Sequence, residues 1–371
     1  MTAFKNLLKT KTVAAAVAVL ILCGCGSTSE QNRQREESST YAVDVTESTS
    51  ASSVNWSARF PSELNAPLKQ ALSIPAHDDE VTKLVFAPDG GMLVSISYGD
   101  YHLKLWDAAT GAQLGWQKSP DRPVDAVMSP TGKWFVTADV YGNLRRWPIS
   151  RDGVGMYENI AEKTGKATKI ALSPDGRRLA VTSWDSPMSV WDLARRKKIK
   201  VFEGTEKMRS VAFVPGTQIL ASGNNQKSFI LWDLSERSWW ERWFSDDKTE
   251  FVIPKVSPQS DVASLDVSQD GNLLATGHMD SSITLWDLGR RRQLKNYFVR
   301  DASTLQVAFS PHGSLLASAN QDGRVYLWDG KSGVKYAELS GHGKGVKTVA
   351  FSPTEEKIAS GGEDGKILIW E

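Results

Sequence analysis

The sequence predicts an all-β chain folded as a ring of seven stacked sheets, a seven-bladed propeller. Two observations carry this expectation. Seven apolar runs end in Trp, usually followed by an acidic residue: Leu105-Trp106-Asp107, Arg146-Trp147-Pro148, Val190-Trp191-Asp192, Leu231-Trp232-Asp233, Leu285-Trp286-Asp287, Leu327-Trp328-Asp329 and Ile369-Trp370-Glu371. Successive Trp residues stand 41, 44, 41, 54, 42 and 42 positions apart, the period of a stacked repeat. The second observation is a tight turn about 19 residues before most of these Trp positions.

In chain order the turns are Ala87-Pro88-Asp89-Gly90, Ser129-Pro130-Thr131-Gly132, Ser173-Pro174-Asp175-Gly176, Val214-Pro215-Gly216-Thr217, Ser268-Gln269-Asp270-Gly271, Ser310-Pro311-His312-Gly313 and Ser352-Pro353-Thr354-Glu355. Pro presets one turn dihedral and Gly supplies a positive one, so each turn joins two strands as a hairpin. The last period shows the strands most clearly: Thr348–Phe351, Ile358–Ser360 and, after a polar turn, Ile367–Trp370. A weaker fourth run precedes each repeat, as in Tyr336–Leu339. Four short antiparallel strands per period make a propeller blade. Blade 7 shows only three, and Lys69–Ile74 stands before Ala76-His77 as Lys335–Leu339 stands before Gly341-His342. Segment 69–74 is therefore expected to supply the outer strand of blade 7 and close the ring, covering an open sheet edge.

Over residues 68–371 this pattern resembles the WD40 repeat family. The resemblance implies a buried hydrogen-bonded set in each complete blade: His342, Ser360, Asp364 and Trp370 in blade 7, and His77, Ser95, Asp100 and Trp106 in blade 1, with one extra residue between Ser and Asp. Asp185, Asp280 and Asp322 keep the acidic position in blades 3, 5 and 6, whereas Tyr141 and Gln226 fill it in blades 2 and 4. Blades 2 to 6 lack the Gly-His or Ala-His pair, so incomplete internal networks are expected there. His342, Ser360 and Asp364 also have the composition of a catalytic triad, but a triad is defined by geometry, and the resemblance spends these groups on locking a blade. No His pair at metal spacing, phosphate-cradling Gly loop or nucleophile elbow is present, so no enzyme, metal or cofactor is expected. His102, His278 and His312 fall in separate blades and are expected at the surface.

Residues 1–24 read as a lipoprotein signal peptide. Lys5, Lys9 and Lys11 precede the ten-residue apolar run Val13–Leu22, which is too short for the roughly 20 residues that span a bilayer. Leu22-Cys23-Gly24-Cys25 resembles the bacterial lipobox, with Cys25 as the lipidated residue. Gly26, in place of Asp, points by analogy to the outer membrane, with the protein facing the periplasm. Cys23 and Cys25 are the only cysteines, leaving the propeller without thiol or disulfide, which suits an oxidising compartment. Residues 25–67 are rich in Ser, Thr and Glu and too poor in large apolar residues to fold alone, so they read as a flexible tether reaching roughly 35 Å. Trp56, Phe60 and Leu64 are its apolar exceptions.

The chain holds 44 basic and 43 acidic residues, and loss of the three leader lysines leaves about −2, with no basic excess to suggest nucleic acid. Alternation of strand direction sorts the loops: a–b and c–d turns share one face of the disc, d–a and b–c turns the other. On the c–d side blade 3 carries Arg195-Arg196-Lys197-Lys198, blade 5 carries Arg290-Arg291-Arg292, and the long period between them holds Trp239, Trp240 and Trp243. Trp and Arg favour binding hot spots, so this rim is a candidate docking patch; equally, the cations guard strand edges and the tryptophans pack on blade 4. On the other face Trp184, Lys166, Arg209 and Lys347 match positions where relatives contact peptides. The expected function is a monomeric, membrane-anchored, non-catalytic scaffold for envelope proteins. The alternatives are an envelope lipid- or glycan-recognising module using the rim of blades 3–5 and, distantly, an enzyme.

Overall fold

The computed structural model describes residues 68–371 apart from 206, 225–228, 236–249, 253–259, 300–301 and 355. Among the described residues there is no helix, and the strands form seven antiparallel sheets. Within a blade the strands are named a to d from the centre outwards. The innermost a strands are Val81–Phe86, Pro123–Met128, Ala167–Leu172, Met208–Phe213, Val262–Val267, Thr304–Phe309 and Val346–Phe351. Each lies against the a strand of the next blade, and the first lies against the seventh, so the ring is closed.

The hairpin turns form where expected. Gly90, Gly132, Gly176, Gly271 and Gly313 adopt φ between +66° and +71°, and each donates its N–H to the carbonyl three residues earlier. Blade 7 is completed by Gln70–Pro75, which pairs antiparallel with Lys366–Trp370; the expected 69–74 is displaced by one residue. Lys69 and Glu371 exchange backbone hydrogen bonds of 2.8 and 3.0 Å, continuing the ladder.

Irregularities gather in blades 2 and 4. In blade 2 the c strand Leu144–Ser150 passes through Pro148 and takes two partners, Glu158–Ala161 and a short Gly153–Val154. In blade 4 the d strand shortens to Glu250–Val252. The b strands are the most buried, and their apolar residues pack between adjacent sheets. Leu93, Phe135, Leu179, Leu220, Leu274, Leu316 and Ile358, all at or near zero exposure, occupy equivalent places beside the hairpin turn. The core is thus a set of inter-blade layers around the axis.

Candidate functional site

Every one of the seven repeat tryptophans donates its indole N–H to a hydroxyl. In blade 7 Trp370 Nε1 donates to Ser360 Oγ (2.9 Å), Ser360 meets His342 Nε2 (2.9 Å), and His342 Nδ1 meets Asp364 Oδ1 (3.0 Å). Blade 1 repeats this with Trp106 to Ser95 (2.8 Å), Ser95 to His77 Nε2 (2.7 Å) and His77 Nδ1 to Asp100 (2.8 Å). A neutral imidazole orders the protons: Nδ1–H donates to the carboxylate, and Nε2 accepts from the hydroxyl. Burial lowers the His77 pKa, outweighing Asp100, and so favours that neutral ring. Burial pushes the Asp100 carboxyl up, but hydrogen bonds from His77 and the His102 backbone hold it below the ordinary range. The extra residue in blade 1 lengthens the b–c turn, and Tyr101 takes φ +66° where Gly365 takes +72° in blade 7.

Ser360 is 0% exposed and already engaged by an imidazole and an indole, so it has no route to a substrate. The triad composition is a blade lock.

The four-member sets of blades 2 to 6 are incomplete, as expected, but other residues serve each indole. His278, expected at the surface, is buried at the end of the b strand of blade 5. Its Nε2 meets Thr276 Oγ1 (2.9 Å), which accepts the Trp286 indole N–H (3.2 Å), and its Nδ1 faces the Ser260 carbonyl (3.4 Å). Asn320 holds the same strand position in blade 6 and donates to Ser318 Oγ (3.1 Å), the hydroxyl that serves Trp328. In blade 4 the Ser222 hydroxyl takes the Trp232 N–H (2.8 Å) and points to Met208 Sδ (3.8 Å). Blade 2 bonds Trp147 to Thr137 (2.9 Å) and buries Arg145 between Asp139 and Asp121. Blade 3 has Val181 where the hydroxyl belongs, and Ser189, directly across the strand pair, serves Trp191 (2.9 Å).

The a strands are sheet edges facing the central channel, a cavity of about 500 Å³. Their spare N–H groups are met by side chains from the preceding blade. Thr348 accepts from Leu84 N (3.2 Å), Asp125 from Ile170 N (3.0 Å), Ser264 from Val307 N (3.3 Å) and Gln306 from Val349 N (3.3 Å). Each acceptor is the third residue of its a strand. Blades 1 and 3 place Lys83 and Lys169 there instead, and both ammonium groups turn to Asp125 (3.7 and 3.4 Å). Asp266 accepts from Phe309 N (2.7 Å), and burial pushes its carboxyl up to about 6. This belt was absent from the sequence reading, although aligning the repeats on their Trp residues brings these positions into register. Among the described residues no three His, Cys, Asp or Glu gather as a metal site.

On the d–a and b–c face Trp184 is 41% exposed, with the Arg209 guanidinium 5.2 Å from its ring. Arg209 also pairs with Asp261 (3.5 Å), and Lys166 Nζ lies 3.9 Å from Asp185. Lys347 lies between Glu80 (3.3 Å) and Glu363 (3.1 Å), so its charge is spent within the fold. A second arginine on this face escaped the sequence reading. Arg122 stacks over Tyr98 (5.1 Å) and Tyr101 (5.6 Å) and donates Nε–H to Tyr101 Oη (2.8 Å), beside the exposed Tyr141. Met279 is likewise exposed on the b–c turn of blade 5. Blades 1, 2, 3 and 5 therefore each present an aromatic or thioether side chain on one face.

On the opposite face Arg195 and Arg290 are exposed, and each folds back on the Asp of its own turn: Asp192 (3.4 Å) and Asp287 (3.2 Å). Arg196 reaches Glu158 (2.7 Å), which Arg146 also contacts (2.5 Å). Trp239, Trp240 and Trp243, like Cys25, lie outside the described residues.

The family model "WD domain, G-beta repeat" matches residues 68–107, 196–233, 254–287, 296–329 and 333–371. The chain belongs to the WD40 repeat family. The longest unmatched stretch within the propeller, 108–195, covers blade 2 and most of blade 3, where Arg145 pins the loops of blade 2 and Ser189 serves the indole of blade 3. Among the relatives, transcription initiation factor TFIID subunit 5 of Caenorhabditis elegans is 26% identical over 213 residues, 57% of this chain and 31% of that protein. Protein groucho of Drosophila melanogaster is 27% identical over 164 residues, covering 42% and 20%. The small ribosomal subunit protein RACK1 of Brassica napus is 29% identical over 142 residues, covering 36% and 43%. This WD40 chain thus spans less than half the length of each of these relatives, and no catalytic family is indicated.

Proposed function

We propose that this WD40 protein is a non-catalytic docking platform held by lipidated Cys25 at the bacterial outer membrane, facing the periplasm and presenting its d–a/b–c face to envelope proteins. One observation supports the docking role above others. The polar groups that might suggest chemistry are consumed inside the blades, while Tyr141, Trp184 and Met279 stay exposed on a single face beside Arg122 and Arg209. Aromatic and arginine side chains on a rigid frame give hot spots at low ordering cost. The anchor rests on Leu22-Cys23-Gly24-Cys25, the division into 1–24, 25–67 and 68–371, and the charge near zero. Recognition of envelope lipid or glycan by the opposite rim is compatible with this reading, since the two surfaces do not overlap.

Two measurements test the proposal. Radiolabelled palmitate should enter the full chain and not the Cys25→Ala variant; equal labelling would refute the anchor. A photo-crosslinker at Tyr141 in intact cells should capture one protein at near-equal amount, with capture lost in Trp184→Ala at unchanged Tm. Undiminished capture by that variant would remove Trp184 from the interface.

A further inference from the structure

The third residue of each a strand decides whether an N–H of the next blade finds an acceptor. Thr348, Asp125, Ser264 and Gln306 accept from Leu84, Ile170, Val307 and Val349, the fourth residues of the strands that follow. The other three blades break this belt. Ala126, Val211 and Leu265 stand opposite Thr137, Ser222 and Thr276 as Leu84 stands opposite Ser95, so their N–H groups also point away from the b strand. Lys83 and Lys169 bring no acceptor to the first two. Ser210 could serve the third, but its buried hydroxyl makes no hydrogen bond. Backbone donors left this way call for an acceptor from outside the chain.

The cavity these groups border is polar at one end and apolar at the other. Its lining starts at the third residues, Lys83, Asp125, Lys169 and Ser210, and reaches the a–b turns at Pro174, Pro215 and Pro353, with no first or second strand residue taking part. Four strand residues make it about 13 Å deep. Halfway along, the fifth residue is Val or Ala in every blade but one, as at Val85, Val127, Ala308 and Ala350, and Asp266 is the exception. At the polar end Lys83 and Lys169 share one oxygen, Asp125 Oδ1 (3.7 and 3.4 Å), while Oδ2 takes the Ile170 N–H. With Asp266 ionised the four charges cancel. Burial pushes Asp266 up to about 6, and a proton there leaves one positive charge in the set.

We infer that the channel is a binding site for a medium-chain monocarboxylate, with its head among Lys83, Lys169 and the N–H groups of Ala126 and Val211 and its tail directed to the a–b mouth. A carboxylate supplies acceptors at the places where lysine removed them, and an ammonium to carboxylate contact is a strong one. A bare inorganic anion would meet the donors and leave the apolar walls unfilled, and an alcohol would do the reverse. A cavity of about 500 Å³ is of the size that holds small molecules. Its mouth opens on the face opposite Tyr141 and Trp184, so this site stands apart from the docking surface.

Titration calorimetry of the full chain with butyrate, hexanoate and octanoate reads head and tail separately. Octanoate should bind, with affinity rising about fourfold per buried methylene along the series. Octanol and sulfate should each bind at least about tenfold more weakly than octanoate. Lys169→Gln places at the third residue the side chain that already accepts from Val349 N at Gln306, so it should serve Val211 N, keep Tm and weaken octanoate about tenfold or more. Lys83→Gln should act likewise through Ala126. Affinity should be higher at about pH 5.5 than at about pH 7.5, because Asp266 takes up its proton in between. No binding of octanoate, octanol or sulfate binding as tightly, full affinity in both Gln variants, or equal or lower affinity at acid pH would each overturn the inference. Should a Gln variant lose Tm, the ligand series on the unaltered chain still decides.

Discussion

Blades 1 and 7 differ from blades 2 and 3 in how they solve one problem. Each must bury a Trp between sheets, and an indole N–H without a partner costs about 1–3 kcal/mol. Blades 1 and 7 import a His from the preceding loop and run a relay from Trp through Ser and His to Asp. Blade 2 keeps the hydroxyl, Thr137, and fixes its loops with a charged group, Arg145 between Asp139 and Asp121. Blade 3 moves the hydroxyl across the strand pair, from the place of Val181 to Ser189. The repeat therefore preserves a requirement, a satisfied indole and a pinned loop, more faithfully than it preserves residues. The family model loses the chain over 108–195, where the requirement is met by other side chains.

The comparison can be broken at its strongest point first. Deleting residues 68–75 removes the outer strand of blade 7 and opens the ring, and is expected to abolish the cooperative melting transition; calorimetry showing an unchanged transition would mean that closure contributes nothing. The next largest effect separates the two kinds of lock. Arg145→Ala strands the nearly inaccessible Asp139 carboxylate and should cost about 3–5 kcal/mol in urea unfolding. His342→Ala in the Trp–Ser–His–Asp relay should cost about 1–3 kcal/mol, and the reverse order would undo the distinction.

The channel offers a third case, a carboxylate that burial opposes. Asp266 titrates near 6 in the fold against about 3.9 in an unfolded chain, so its contribution is favourable at low pH and is lost as pH rises through 6. Asp266→Asn keeps the acceptor for Phe309 N and should gain about 2 kcal/mol at pH 8 and almost nothing at pH 4. A gain independent of pH would show that the carboxylate is not strained. The smallest effect is expected from exchanging the blade 3 pair, Val181→Ser with Ser189→Val, which returns the hydroxyl to its usual strand. Tm should change by no more than about 2 °C, whereas Ser189→Val alone should lose more.

Much of the fold was legible because its determinants repeat. The Trp positions, the Pro-Asp-Gly turns and the segment before Ala76-His77 each recur at a fixed offset, and the structure follows them to within a residue. The complete relays of blades 1 and 7 were legible for the same reason. His278 was misjudged because a lone histidine in sequence does not show which face of its strand it occupies. The last place in a b strand, shared with Asn320, turns it inward toward the tryptophan. Arg122 was missed because its stacking partners come from another blade, Tyr98 and Tyr101, and no local spacing reports a contact across a junction. The anchor and the tryptophan-rich insertion depend on segments outside the described residues, and the sequence remains their only witness.

The closing strand also sets an order of events during synthesis. Gln70 pairs with Trp370, partners separated by 300 positions, so the first of the described strands waits for the last before either sheet edge is covered. Contacts this remote slow folding, because chain must be gathered before any return is realised. A growing polypeptide would hold that strand unpaired until the seventh blade is made. Its earliest need is then protection from other strand edges, and a chain shortened by a few residues at the far end would never outgrow that need.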